Sequence, residues 1–335
     1  AEPLFLEAQF IRENLLGKRH PKYSFSLKHL THLYEKQNKF SESEPLLEEL
    51  SSLEQLHISQ SMSFLSEREL ANYITAFQKS GDNLACYILS RKSLGAQIGS
   101  LPSLAFNHSL FYKGFLQFSA SRLRTLSESS PEAAEINLQM KSFRRRLAAE
   151  YSKPIADRNN INALENEANL TEKELTRLVA RYLESNRQIN WKEVQQKLKS
   201  DEVAIEFIHF PVRFPQKMDS TMYAALLIKK EDTKPRFILL FEDKSLDSLL
   251  NFNSERKADY VNGLYTLSDR GAIAVENPKK SLYEILWKPI EKNLDGIKTI
   301  YFSPSGLLHR LNLDAIPVSE TETLADRYNL IELNL

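Results

Sequence analysis

The sequence predicts an all-α N-terminal region followed by an α/β sheet domain. Three observations carry this. Glycine is scarce, nine in 335 residues, and glycine weakens helix interiors. Up to about residue 190, apolar residues recur mainly at helical spacing. From residue 201 the pattern changes to short, nearly continuous apolar runs bounded by polar residues or proline, as in strands covered on both faces.

Composition removes several function classes. Lysine and arginine balance aspartate and glutamate at 44 each, so the net charge is zero. That argues against nucleic acid as a main partner, because phosphate binding draws on a basic excess. No run approaches the ~20 apolar residues that span a bilayer, and no basic-then-apolar leader opens the chain. A single cysteine, Cys86, forms no internal disulfide and fits a reducing cytoplasm. The absence of an initiating Met suggests that the chain starts inside a longer protein.

Element by element, the first feature is a repeat. Ala1-Glu2-Pro3-Leu4-Phe5-Leu6-Glu7-Ala8 returns as Ser43-Glu44-Pro45-Leu46-Leu47-Glu48-Glu49-Leu50, an offset of 42 residues. Pro3 and Pro45 suit the first turn of a helix, where no backbone N–H is needed. Between them, residues 24–37 carry Leu27, Leu30, Leu33 and Tyr34 at helical spacing. Helix, turn and helix form a unit that cannot bury its apolar face alone and must stack on neighbours. His29 and His32 share a helix face at i, i+3. No nearby cysteine completes a zinc set, so no metal is assigned.

Residues 61–184 read as further helices. Ser66 and Glu69 form a capping box, followed by Leu70, Tyr73, Ile74 and Phe77. Gly81-Asp82-Asn83 breaks the pattern, and Leu84, Tyr87, Ile88 and Leu89 mark the next helix. Residues 103–126 read as a buried helix. Pro131 opens another, which stops before Pro154. Residues 157–169 read as a loop or weak helix. Thr171 and Glu174 suggest a second capping box, with Leu175, Leu178, Val179, Tyr182 and Leu183 on one stripe. Trp191, Val194 and Leu198 mark a short helix.

Strands are expected at residues 203–210, 223–228, 236–241, 298–303 and 328–333, with helices at 246–252 and 280–294. Short connections make the first strands antiparallel neighbours.

Two segments resemble known families. Ile11-Arg12-Glu13-Asn14-Leu15-Leu16-Gly17-Lys18-Arg19-His20-Pro21 and Ser26-Leu27-Lys28-His29-Leu30-Thr31-His32-Leu33-Tyr34 resemble the 42-residue tetratricopeptide repeat of the kinesin light chain type. Ile300-Tyr301-Phe302-Ser303-Pro304-Ser305-Gly306-Leu307-Leu308-His309-Arg310-Leu311 is followed by Asp314-Ala315-Ile316-Pro317. It resembles the Pro-Asp-Gly-x-Leu-His-x-Leu signature of the CHAT domain, with Ser305 in place of aspartate. CHAT domains are caspase-like, separase-like cysteine peptidases that commonly follow such repeats in bacteria.

The resemblance implies three parts: 1–60, the last one or two repeats of a longer array; 61–190, an irregular helical region; and 191–335, the supporting half of a partial caspase-like sheet. It implies a protein or peptide partner in the repeat groove and a protein substrate for the parent protease. The family's catalytic His-Gly and cysteine motifs do not occur in this sequence, so no catalytic, cofactor-binding or metal residue is assigned and the fragment is expected to be inactive. The alternative is a non-enzymatic adaptor that binds a protein through its repeats.

Three other constellations read as structural. Cys86 lies in an apolar helical run, where cysteine serves as a small hydrophobe. Ser305 and His309 flank a Pro-Ser-Gly turn that explains them without chemistry. Arg144-Arg145-Arg146 reads as a solvated helix face. A carboxylate enzyme built on Glu165 and Glu167 lacks the apolar cleft that raises a pKa.

Overall fold

The computed structural model describes residues 2–61, 65–127, 130–180, 189–250, 281–319 and 321–333. Its helices are α1 (Glu2–Leu16), α2 (Pro21–Lys36), α3 (Phe40–Ser61), α4 (Glu67–Ser93), α5 (Leu101–Ser127), α6 (Pro131–Tyr151), α7 (Ile161–Ala180), α8 (Trp191–Lys197) and α9 (Asp243–Leu250). Its strands are β1 (Glu202–Pro211), β2 (Thr221–Lys229), β3 (Arg236–Glu242), β4 (Thr299–Ser303) and β5 (Asn329–Glu332). Two units divide the chain, residues 1–79 with 111–188 and residues 80–110 with 189–335. Residues 80–110, which the sequence groups with the helical middle, fall in the second unit.

In the first unit, the Gly-x-x-His-Pro turn has a local cause. Gly17 ends α1 at φ +80°, a left-handed conformation that favours glycine. His20 then caps α2, its Nδ1 accepting the Lys22 N–H at 3.1 Å, and Pro21 occupies the first turn. Tyr23 and Leu27 of α2 pack on Leu50 of α3, with Leu46 and Leu53 at the edge. Pro45 departs from expectation. α3 begins at Phe40, so the proline sits inside the helix.

Three helix boundaries also differ. α4 runs unbroken through Gly81. The glycine is required by packing, because a Cβ there would enter the His108 ring. The segment expected as loop or weak helix begins at a short 3-10 turn, Ile155–Asp157, and continues as α7. Thr171 therefore lies within a helix and not at its start, and its hydroxyl donates to the Glu167 carbonyl at 2.8 Å. Residues 182 and 183 of the expected stripe lie outside the described residues. The Ser66–Glu69 box does form: each backbone N–H meets the other's side chain at 3.2–3.3 Å.

The second unit holds a five-stranded mixed sheet of order β3-β2-β1-β4-β5. β1 pairs antiparallel with β2 and parallel with β4. β3 joins β2 antiparallel, and β5 joins β4 parallel. The odd positions Val203, Ile205, Phe207, Tyr223, Ala225 and Leu227 face one core with Trp287, Ile290, Ile300 and Leu308. Part of that cover is the helical turn Tyr283–Trp287 and its continuation Lys288–Glu291.

The even face meets residues 80–110. Ser109 donates to the buried Glu206 carboxylate at 2.9 Å, and Tyr87 packs edge-on against Phe214 at 4.9 Å. β3 and β5 depart from the expectation of full burial: both are edge strands, with buried positions in β3 only at Phe237 and Phe241 and none in β5.

The α2–α3 contact gives a sharp contrast within one helix. Leu27 is fully buried and Phe25 is 56% exposed. Leu27→Ala is expected to lower stability by about 2–5 kcal/mol, and Phe25→Ala by no more than about 0.5 kcal/mol, read as urea midpoints.

Candidate functional site

Polar chemistry gathers at the C-terminal end of β1 and β4, where ligand sites of parallel strands form. His209, near the end of β1, is half-buried, and its Nδ1 lies 2.7 Å from Ser305 Oγ. Its ring stacks on Tyr223 of β2, centroids 5.6 Å apart. The Leu307 N–H donates to Tyr223 Oη at 2.9 Å, and the Tyr223 hydroxyl bonds the Asp243 carboxylate. Burial, reinforced by Asp243 and opposed by the Leu307 N–H, pushes the Tyr223 hydroxyl up to about 12. Gly306 sits at φ +57°, and a Cβ there would collide with Tyr223 Oη and crowd the His209 ring.

These contacts tie the 303–308 turn to the sheet. Ser305 therefore has a histidine partner, but it is His209. His309 is exposed in a 3-10 turn. The sequence offered one signal for this: His209 is a polar residue near the end of an otherwise apolar strand. Its partner 96 positions away left no local trace.

Cys86 is fully buried in α4. Its Sγ donates to the Pro211 carbonyl at 3.5 Å, and burial pushes the thiol pKa up. A nucleophilic cysteine needs the opposite shift. Glu165 binds the Tyr151 hydroxyl and the Arg68 guanidinium, the latter at 2.8 Å. Those bonds, Tyr151 first, hold its carboxyl below the usual range, which disfavours a general acid. It lines a cleft of about 330 Å³ with Arg68, Arg144 and Glu172. Arg144 pairs with Glu172 at 3.1 Å, while Arg145 and Arg146 are exposed. Glu167 is exposed.

The exposed face of α2 is basic and aromatic. Lys22, Phe25, His29 and Lys36 are exposed on it, and His32 is half-buried. The His29 ring stacks on Phe5 at 5.7 Å and meets the edge of Phe25 at 4.3 Å. Burial, then Lys36 and His29, pushes the His32 pKa down. Among the described residues no group of three or more His, Cys, Asp or Glu is placed to hold a metal, and no helix is long and apolar enough to cross a membrane.

No protein-family model matches the chain, and no curated protein is significantly similar to it.

Two outcomes follow from this geometry. Tyr223→Phe deprives the half-buried Leu307 N–H of its acceptor and is expected to cost about 1 kcal/mol in urea unfolding. His32, with its pKa lowered in the fold, favours the neutral form. As pH falls below about 7.5, the unfolded chain takes up the proton first near its ordinary value of ~6.5, so stability drops until pH passes the lowered folded value. Replacing it, His32→Gln, should remove that part of the slope in pH-dependent melts.

Proposed function

We propose that the chain is the regulatory, partner-binding part of a bacterial, cytoplasmic TPR-CHAT protein, a caspase-like cysteine protease whose catalytic dyad lies outside this chain. The observation that carries the reading is a mixed sheet without a usable thiolate. The 300–311 segment that resembles the CHAT signature forms β4 and its following turn. The sole cysteine is buried in a helix with its thiol pKa raised.

In this reading the sheet unit supports an absent catalytic half, and the N-terminal repeats receive a partner's signal. The parent then cuts a protein substrate. The braced 303–308 turn fits support: Ser305 bonds His209 of β1, and the backbone N–H of Leu307 is already taken by the Tyr223 hydroxyl. An oxyanion stabiliser needs donors aimed at open space.

The test uses this chain and the polypeptide encoded after residue 335. Alone, the chain should leave unfolded casein intact, with Cys86→Ser changing nothing. Co-expressed with the downstream polypeptide, it should bind that polypeptide and give cleavage that depends on a downstream cysteine. Cleavage by the chain alone, or loss of activity in Cys86→Ser, defeats the proposal. A downstream sequence lacking a His-Gly motif or a cysteine would favour the adaptor reading.

A further inference from the structure

In the first unit, α4, α6 and α7 line a cleft of about 330 Å³. That volume falls at the lower end of the range of small-molecule sites, about 300–1,000 Å³. Each helix contributes side chains one turn apart. Arg68 and Ala71 come from α4, and Arg144 and Leu147 from α6. On α7, Glu165, Ala168, Asn169 and Glu172 follow at i, i+3, i+4 and i+7 and share one face.

The charges in the cleft balance. Arg68 bonds Glu165 at 2.8 Å, and Arg144 bonds Glu172 at 3.1 Å. A lone anion or a lone cation therefore meets no excess of the opposite sign. An arginine carries five N–H donors in a fixed fork. Arg68 spends one of them on Glu165, and its side chain is 68% exposed.

Asn169 gives the cleft a direction. Its amide bonds the Glu69 carboxylate, which also holds Lys173 at 2.6 Å. A carboxylate only accepts, so the amide nitrogen of Asn169 faces Glu69. The amide oxygen is buried and has no hydrogen-bond partner among the described residues. Buried acceptors in that condition are rare, and one in the wall of a cleft calls for a donor from the occupant. Glu165 lies one turn before Asn169 and Glu172 one turn after it. Beside two carboxylates, a cationic donor is favoured over a neutral one.

We propose that this cleft binds a small apolar α-amino acid as its zwitterion. The ammonium group donates to Asn169 Oδ1, between Glu165 and Glu172. The carboxylate accepts from the remaining N–H groups of Arg68. The side chain lies against Ala71, Leu147 and Ala168. A ligand bearing both signs of charge matches a cleft that presents both, and an amino acid suits its volume. The site lies outside α1–α3 and outside the sheet, so it is independent of the protease reading.

The test is isothermal titration calorimetry of the whole 335-residue chain with L-valine, L-leucine and L-methionine in turn. At least one should bind, at a single site. Its amide derivative lacks the carboxylate, and its N-acetyl derivative lacks the ammonium group. Each loses a hydrogen bond between charged groups and should bind at least ~10-fold more weakly.

Arg68→Gln should weaken the free amino acid at least ~10-fold and leave the amide derivative unchanged, because that derivative has no carboxylate to lose. Arg68 is exposed, so an unchanged melt will show that this variant folds. Asn169→Leu should weaken both ligands, and where its melt falls, Arg68→Gln decides the question. The proposal is overturned if none of the three amino acids binds, which assigns the Asn169 oxygen to an ordered water. It is also overturned if either derivative binds as tightly as the free amino acid. Equal weakening of the amino acid and its amide by Arg68→Gln overturns it too, since that pattern reports a structural role for the arginine.

Discussion

The second unit depends on one constraint: β1 is covered on both faces and paired on both edges. Its first six residues, Glu202 to Phe207, are all buried. On one edge it runs antiparallel to β2, and on the other parallel to β4. A strand so placed has no solvent face to accept polar side chains, which explains its apolar run. It also explains why the carboxylate of Glu206, 3% exposed, meets a hydroxyl, Ser109. A buried carboxylate without a partner would cost several kcal/mol. The mixed pairing fixes the rest of the unit. The antiparallel side closes with short connections, whereas the parallel side needs a crossover, which supplies the helical turns that bury Trp287 and Ile290 against the odd face.

The sequence made the strands legible for the same reason. Val203 to Phe207 and Tyr223 to Ile228 read as strands because each apolar run is short and bounded by polar residues or proline, and length and flanks are what separate such a run from a buried helix. Helix interiors were legible, and helix ends only in part: the Ser66–Glu69 box and Pro131 mark true starts. Gly81, Pro45 and the Thr171–Glu174 pair are each sound local signals, and none marks the helix boundary it suggests. Gly81 answers to the His108 ring and marks no break. Thr171 bonds the turn before it and starts no new helix. A local signal reports what a segment would do alone, and burial of apolar surface is larger than the ~1 kcal/mol of a single cap. The His209–Ser305 contact was illegible because a bond between residues 96 apart in sequence has no period.

That contact also shows why a serine beside a histidine is not by itself a catalytic dyad. Reaction requires a nucleophile with room for a substrate and open donors for the developing oxyanion. At the end of β4 the neighbouring groups are spent on holding the chain. Tyr223 takes the Leu307 N–H, and the left-handed Gly306 lets the turn close onto Tyr223 and His209. The outcome is a stiff edge to the sheet.

The N-terminal unit obeys a complementary constraint. A helix pair in a repeat array is stable only through its neighbours, so each apolar face is either covered or poised to be covered. α3 meets this through Leu46, Leu50 and Leu53 under α2. α1 carries the equivalent positions and has no buried residue at all. Leaving a leucine-sized side chain in water forgoes about 1.5–3 kcal/mol relative to burial. Leu4 and Leu15 together thus hold about 3–6 kcal/mol in reserve, and a single helix could recover a large part of it. That is comparable with the ordering cost of a folding segment, about 2–5 kcal/mol or more. An apolar seat alone would therefore hold a covering helix only weakly.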